Sequence, residues 1–174
     1  MNTTAFALIF GIAFTLAGIL GMFPAALTPP PADAPATTFT VLYGYLLGLF
    51  PVNVLHSAAH LAIGIAGLAA ASSEAMSRRY AQALALIYGL LGVMGLLPQP
   101  FNTVFGLIPV HGHDVWLHLG TAAVAAYFGW RSDIPVLDDG TERRMGLGDR
   151  RQAWREVAYE RRKGSYDRRM PLGT

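Results

Sequence analysis

The sequence predicts an all-α fold: an integral membrane four-helix bundle built from two duplicated two-helix hairpins, followed by a basic cytoplasmic tail. Three observations carry this expectation. Hydrophobic residues make up 53% of the 174-residue chain and charged ones 14%, where a soluble domain carries about 25% charged residues. The charges are segregated, because residues 1–130 hold only Arg78 and Arg79 against Asp33, Glu74 and Asp114, and the other 11 Lys and Arg lie from Arg131 onward. Finally, residues 1–131 contain four apolar runs of membrane-spanning length, separated by proline, glycine or arginine.

A helix needs about 20 apolar residues to cross a bilayer. The first run, 6–23, is closed by Pro24 and the three prolines at 29–31. No Lys or Arg precedes it, and Pro35 disfavours cleavage after Ala34, so the run is expected to be retained rather than removed as a secretion signal. The segment 39–50 is too short to span and is expected to be interfacial or re-entrant, a helix at headgroup level anchored by Tyr43 and Tyr45. The second span is expected at 52–71, the third at 80–97 ending before Pro98, and the fourth at 112–130 ending at Arg131. Arg78 and Arg79 are expected in the loop between spans two and three. Together with the basic tail at 132–174 they predict a multi-pass protein of the bacterial inner membrane with both termini cytoplasmic.

The chain also repeats itself. A shift of 58 places Gly48, Leu49, Pro51, Val52, His60 and Leu61 over Gly106, Leu107, Pro109, Val110, His118 and Leu119, and His56 over Asp114. A shift of 74 places Gly18, Gly21 and Pro24 over Gly92, Gly95 and Pro98. Two hairpins in the same orientation predict a pseudo-twofold axis along the membrane normal. Gly11, Gly18, Gly21, Gly89, Gly92 and Gly95 are expected to let helix backbones approach closely.

The residues Pro51-Val52-Asn53, His56-Ser57-Ala58-Ala59-His60-Leu61 and Asp114-Val115-Trp116-Leu117-His118-Leu119 resemble those of small bacterial four-helix integral membrane proteins known only as a domain of unknown function. The resemblance covers roughly residues 5–131 and implies architecture rather than activity. It assigns no role to His111 or His113.

All five histidines fall near the outer ends of spans two and four. Positions four apart share a helix face, so His56 and His60 stack on one span and Asp114 and His118 on the other. Ionisable groups within a membrane rarely face lipid, which marks this quartet as the candidate site. In the leading reading it is a hydrogen-bonded latch between helices, with Asp114 accepting from an imidazole and no cofactor bound. In the alternative it holds zinc, copper or iron through imidazole and carboxylate donors, with Asn53, His111 and His113 as an outer shell. A further alternative is a haem between His60 and His118, with Gly64 leaving room for the macrocycle edge.

No catalytic residue is predicted. With no cysteine there is neither a disulfide nor a thiolate, and no nucleophile elbow, phosphate loop or dinucleotide fingerprint is present. The leading expectation is therefore a non-enzymatic accessory or structural subunit of a membrane complex, and the alternative is a metal- or haem-binding membrane protein. Its expected partners are membrane lipids and other membrane subunits, with no nucleic acid. In the tail, 149–163 reads as a short helix from Asp149 to a stop at Gly164. Arg150, Arg151, Trp154, Arg161 and Arg162 are its candidate lipid or partner contacts.

Overall fold

The computed structural model describes residues 2–131. The tail helix expected at 149–163 and its arginine contacts lie outside the described residues. Four helices dominate: α1 (Thr3–Leu20), α2 (Val54–Ala70), α3 (Glu74–Leu96) and α4 (His113–Trp130). Three short strands, β1 (Leu27–Thr28), β2 (Gly44–Leu46) and β3 (Phe50–Val52), form an antiparallel sheet in the order β1-β2-β3. Single 3₁₀ turns lie at Pro24–Ala26 and Phe101–Thr103. Two helices, α1 and α3, are long and apolar enough to cross a membrane, and α2 is apolar but shorter, at 17 residues.

The helix starts are set by side-chain caps. Asn2, Asn53 and Ser73 accept from the backbone N–H groups of Ala5, His56 and Met76, satisfying donors that the first turn leaves open. The Ser73 cap, with Glu74 in the first turn where the helix dipole favours a carboxylate, starts α3 six residues before the apolar run. Arg78 and Arg79 thus lie on α3 rather than in a loop, which corrects the sequence expectation. Pro51 and Val52 belong to β3 instead of opening the second helix, because the Asn53 cap holds the helix start at Val54.

The segment 39–50 is not a helix, which is a second correction. It forms β2 and the turn into β3, with Leu46 opposite Phe50. The physical reason lies at Leu47 and Gly48, both at positive φ (56° and 70°). Such a turn matches the twist of a two-stranded hairpin and cannot continue a right-handed helix.

The helices pack as two hairpins, α1 along α2 and α3 along α4, and the hairpins meet chiefly along α1 and α3. Glycine sets the spacing within each hairpin. A methyl group at Gly18 would lie 2.6 Å from the backbone nitrogen of Leu61, and one at Gly92 would lie 2.6 Å from the Leu119 side chain. Gly21 is closed off by Ser57, and Gly95 by Val110 and Val115. Between the hairpins runs a ladder of rings in contact: Phe6 with Tyr80 at 6.4 Å and with Phe128 at 4.9 Å, then Phe14 with Tyr88 at 5.2 Å. Outside this core the helices present Leu8, Ile12, Leu16, Leu86, Leu90 and Val93.

The two ends of the bundle differ in chemistry. At one end Arg78 donates to the Arg131 carbonyl at 2.9 Å, and the Arg131 guanidinium lies 5.2 Å from the centre of the Phe128 ring. At the other end the sheet and the 98–112 connection form a cap, and the histidines lie beneath it. The glycine contacts yield a graded prediction. Gly18→Ala forces a methyl group onto backbone and should cost about 1–3 kcal/mol. Gly92→Ala meets a side chain that can rotate away and should cost less. Gly120→Ala, with nothing within 4 Å, should be neutral or stabilising. Thermal unfolding of the three variants in detergent checks that order.

Candidate metal centre

The candidate site is assembled by the first two turns of α2 and of α4. Asp114 and His118, four residues apart, project from one face of α4, and their Oδ2 and Nδ1 atoms are 3.3 Å apart. From α2, the His56 ring stacks against His118 with centroids 6.1 Å apart and an interplanar angle of 17°. His56, Asp114 and His118 each place one potential ligand atom so that all three lie within 4.8 Å of one another. All three side chains are buried, Asp114 and His118 to 1% exposure. His60 lies one turn further along α2, with its ring 4.5 Å from that of His56.

The surroundings seal this cluster. On the inner side Phe14 stacks on His60 at 5.5 Å, and Tyr88 meets His118 edge-on at 4.8 Å. Since Phe14 and Tyr88 also touch each other, they form a floor beneath the imidazoles. On the cap side stand the fully buried Pro51 and Pro109. The Pro51 carbonyl lies 3.1 Å from His56 Nδ1. The Pro109 carbonyl of the second hairpin also hydrogen-bonds this ring, so backbone carbonyls from both hairpins orient His56, as they often do for a metal-binding histidine.

Asn53 holds the frame. Its Oδ1 accepts from the His56 N–H at 2.9 Å, and its Nδ2 donates to the carbonyls of Phe39 at 3.0 Å and Leu107 at 2.7 Å. One buried amide thereby joins the start of α2, the segment before β2 and the loop of the second hairpin. Asn53, expected in an outer ligand shell, caps α2 through the His56 N–H and so helps to position that residue. His111 is buried, its ring 6.3 Å from Tyr45, with no partner at Nε2. Burial holds its imidazole below the ordinary histidine range, so it is neutral at neutral pH. His113 opens α4 and is exposed, apart from the cluster.

The hydrogen bonding bears on whether the cluster is a latch or a ligand site. A latch would have Asp114 accepting from an imidazole of the facing helix. Instead neither Asp114 oxygen has a hydrogen-bond partner, and nor have His118 Nδ1, His60 Nδ1 or Ser57 Oγ. The contact of 3.3 Å between Asp114 and His118 is close but misaligned, and both residues belong to the same helix. Each buried polar group left unpaired costs about 1–3 kcal/mol, and more when it is charged.

Ligand atoms around tetrahedral zinc lie about 2.0–2.1 Å from the ion, and hence a little over 3 Å from one another. The atoms of the triad, within 4.8 Å of one another, would have to close to that spacing to hold such an ion. A haem does not fit between His60 and His118, where the contacting rings of Phe14 and Tyr88 fill the space. Nor does Gly64 leave room for a macrocycle edge, because a methyl group there would run into Thr15 and the Gly11 carbonyl of α1. Reading the sequence also missed Phe14 and Tyr88 as the floor. The shift of 74 carried four residues back from Gly18 and Gly92 pairs them.

A family model described as Domain of unknown function (DUF4383) matches residues 4–131. The chain belongs to this family. The matched region includes all four helices and the whole His/Asp cluster, in keeping with the resemblance seen in the sequence. No curated protein and no solved structure matches the chain. The family description assigns no activity, so the chemistry is read from the side chains.

Asn53 supplies the prediction here. Asn53→Ala removes a helix cap worth about 1 kcal/mol and orphans two carbonyls at about 1–3 kcal/mol each. Asn53→Asp keeps the cap but cannot donate to the carbonyls. Both variants should unfold at lower temperature than the parent, with Asn53→Ala the lower of the two.

Proposed function

We propose that the protein is a metal-binding integral membrane protein that holds one divalent transition cation, of the zinc or iron class, through His56, Asp114 and His118. The observation that carries this reading is the buried triad in which Asp114 lies 3.3 Å from His118 of its own helix and, among the described residues, accepts no hydrogen bond from the facing helix. Two imidazoles and one carboxylate form a donor set that such ions accept, leaving at least one coordination position open. The accessory-subunit reading needs a cluster closed on itself, and the unpaired atoms argue against that. Binding rather than catalysis is the proposed role, since the triad is floored by Phe14 and Tyr88 and covered by the cap.

The membrane reading rests on the apolar length of α1 and α3 and on the ring of aliphatic side chains turned outward along them. Gathered at one end, Arg78, Arg79 and Arg131 support an orientation with that end and both termini in the cytoplasm. The cation site then lies at the outer end of the bundle, in the inner membrane of a bacterium.

The proposed duplication is supported by pairs that match in both shifts. Gly18 packs on Leu61 as Gly92 packs on Leu119, and Phe14 lies on His60 as Tyr88 lies on His118. One pair is swapped: Thr15 fills the space at Gly64, whereas Ala122 faces Gly89 at 3.8 Å. The small residue has changed helix while the fit is kept.

Protein purified in mild detergent without chelator should carry close to one equivalent of transition metal, measured by mass spectrometry of the elements. His56→Ala and His118→Ala should each lose most of it, and the exposed His113→Ala should retain it. Equal metal content in all four proteins, or none in the parent after growth in zinc- and iron-replete medium, would overturn the reading.

A further inference from the structure

The cap carries two apolar prongs related by the repeat. Leu46-Leu47-Gly48-Leu49 and Val104-Phe105-Gly106-Leu107 are 58 residues apart, and each closes a tight turn. The N–H of Leu49 donates to the Leu46 carbonyl at 3.1 Å, and that of Leu107 to the Val104 carbonyl at 3.2 Å. The central residues have positive φ in both, 56° and 70° in the first turn and 58° and 86° in the second. A left-handed backbone suits the two glycines and is uncommon for Leu or Phe. Yet at the tips stand Leu47, 72% exposed, and Phe105, 62% exposed, with Leu49 and Leu107 exposed beside them. Turns that meet water usually place Asn or Asp in such positions.

We infer that these two turns insert into the outer boundary of the bilayer, with Leu47, Leu49, Phe105 and Leu107 in contact with lipid. The inference rests on the membrane reading above. Three further observations support lipid as the occupant. First, no Asp, Glu, Lys or Arg occurs in 34–73 or in 80–113, so neither prong carries a charge, and the charge nearest the sheet in sequence is Asp33, in the connection before β2. Second, the apolar helix stretches are short, that of α3 included, since about 17 of its 23 residues lie beyond Arg79. α1 has 18 residues and α2 has 17, which at 1.5 Å per residue gives about 26–27 Å against a hydrocarbon core of about 30 Å.

Arg78, Arg79 and Arg131 fix the opposite end at the water boundary, so the missing apolar length falls at the cap. The prongs continue the outward-facing band of Leu16, Ile19, Leu20, Val93 and Leu96. Third, irregular backbone near lipid must satisfy its own polar groups, and much of the backbone of this cap is hydrogen-bonded internally. Phe105 N–H donates to the Pro100 carbonyl, Ile108 to Thr103, Val110 to Asn102, Thr38 to Gly106 and Val54 to Val41.

The test places single tryptophans in the full chain after Trp116, Trp130 and Trp154 are replaced by Phe. Leu47→Trp and Phe105→Trp probe the prongs, and Leu86→Trp, on the exposed face of α3, probes the bilayer interior. Each protein is reconstituted in phosphatidylcholine nanodiscs, with or without bromine on the acyl chain near the headgroup. The expected result is that both prong tryptophans lose most of their emission to the brominated lipid and little to aqueous iodide. Should one variant fail to fold, the equivalent turn provides the same reading. Iodide quenching of the prongs beside lipid quenching of Leu86→Trp would overturn this inference and leave the membrane reading intact. Iodide quenching of Leu86→Trp as well would overturn both. Protection from both quenchers, with a cross-linked dimer, would assign the prongs to a second copy of the chain and overturn lipid contact.

Discussion

The capped end of this protein is organised around the cost of keeping a carboxylate dry. Asp114 is 1% exposed, lies beside the buried imidazoles of His56 and His118 and, among the described residues, receives no hydrogen bond. Transfer of an unpaired carboxylate from water into an apolar medium is among the most costly steps a fold can take. The neighbouring structure is consistent with a site kept rigid in spite of that cost. Phe14 and Tyr88 close it from below, the proline carbonyls face it from above, and Asn53 joins three chain segments so that His56 cannot swing away. A bound cation turns the same arrangement from a liability into a stabilising feature.

The proposed duplication would give this arrangement its economy and its polarity. Equivalent positions supply His60 and His118, and equivalent rings support them. A symmetric pair of hairpins would place identical groups at 56 and 114. The chain departs from symmetry there, with histidine on one hairpin and aspartate on the other. The substitution gives the cluster one carboxylate against three imidazoles and offsets part of the charge of a divalent ion. At the prongs symmetry is kept in the backbone while the side chain changes from Leu47 to Phe105, as expected where a turn must be apolar but need not fit a particular partner.

Much of this was legible in the sequence. Segregated charge and prolines located the four helices, and a spacing of four placed His56, His60, Asp114 and His118 on inward faces. The ends of helices were harder to see, because caps override hydrophobicity. Ser73 and Glu74 start α3 on a polar stretch, and Asn53 delays α2 past two apolar residues. The strands at 44–52 were hidden because a short apolar, aromatic run has the same composition in a helix, a strand or a membrane-surface segment. Whether the cluster closes as a latch was also beyond the sequence. That depends on the angle between Asp114 and His118, which spacing alone does not determine.

The central claim is that His56, Asp114 and His118 form a metal-binding triad rather than a latch. X-ray absorption at the metal edge of the purified protein tests it most directly. The account predicts a first shell of nitrogen and oxygen at about 2.0–2.1 Å, as for zinc with such ligands, with the outer-shell scattering of two imidazoles that falls to one in His118→Ala. A spectrum of hydrated ion alone, unchanged by that substitution, would contradict it.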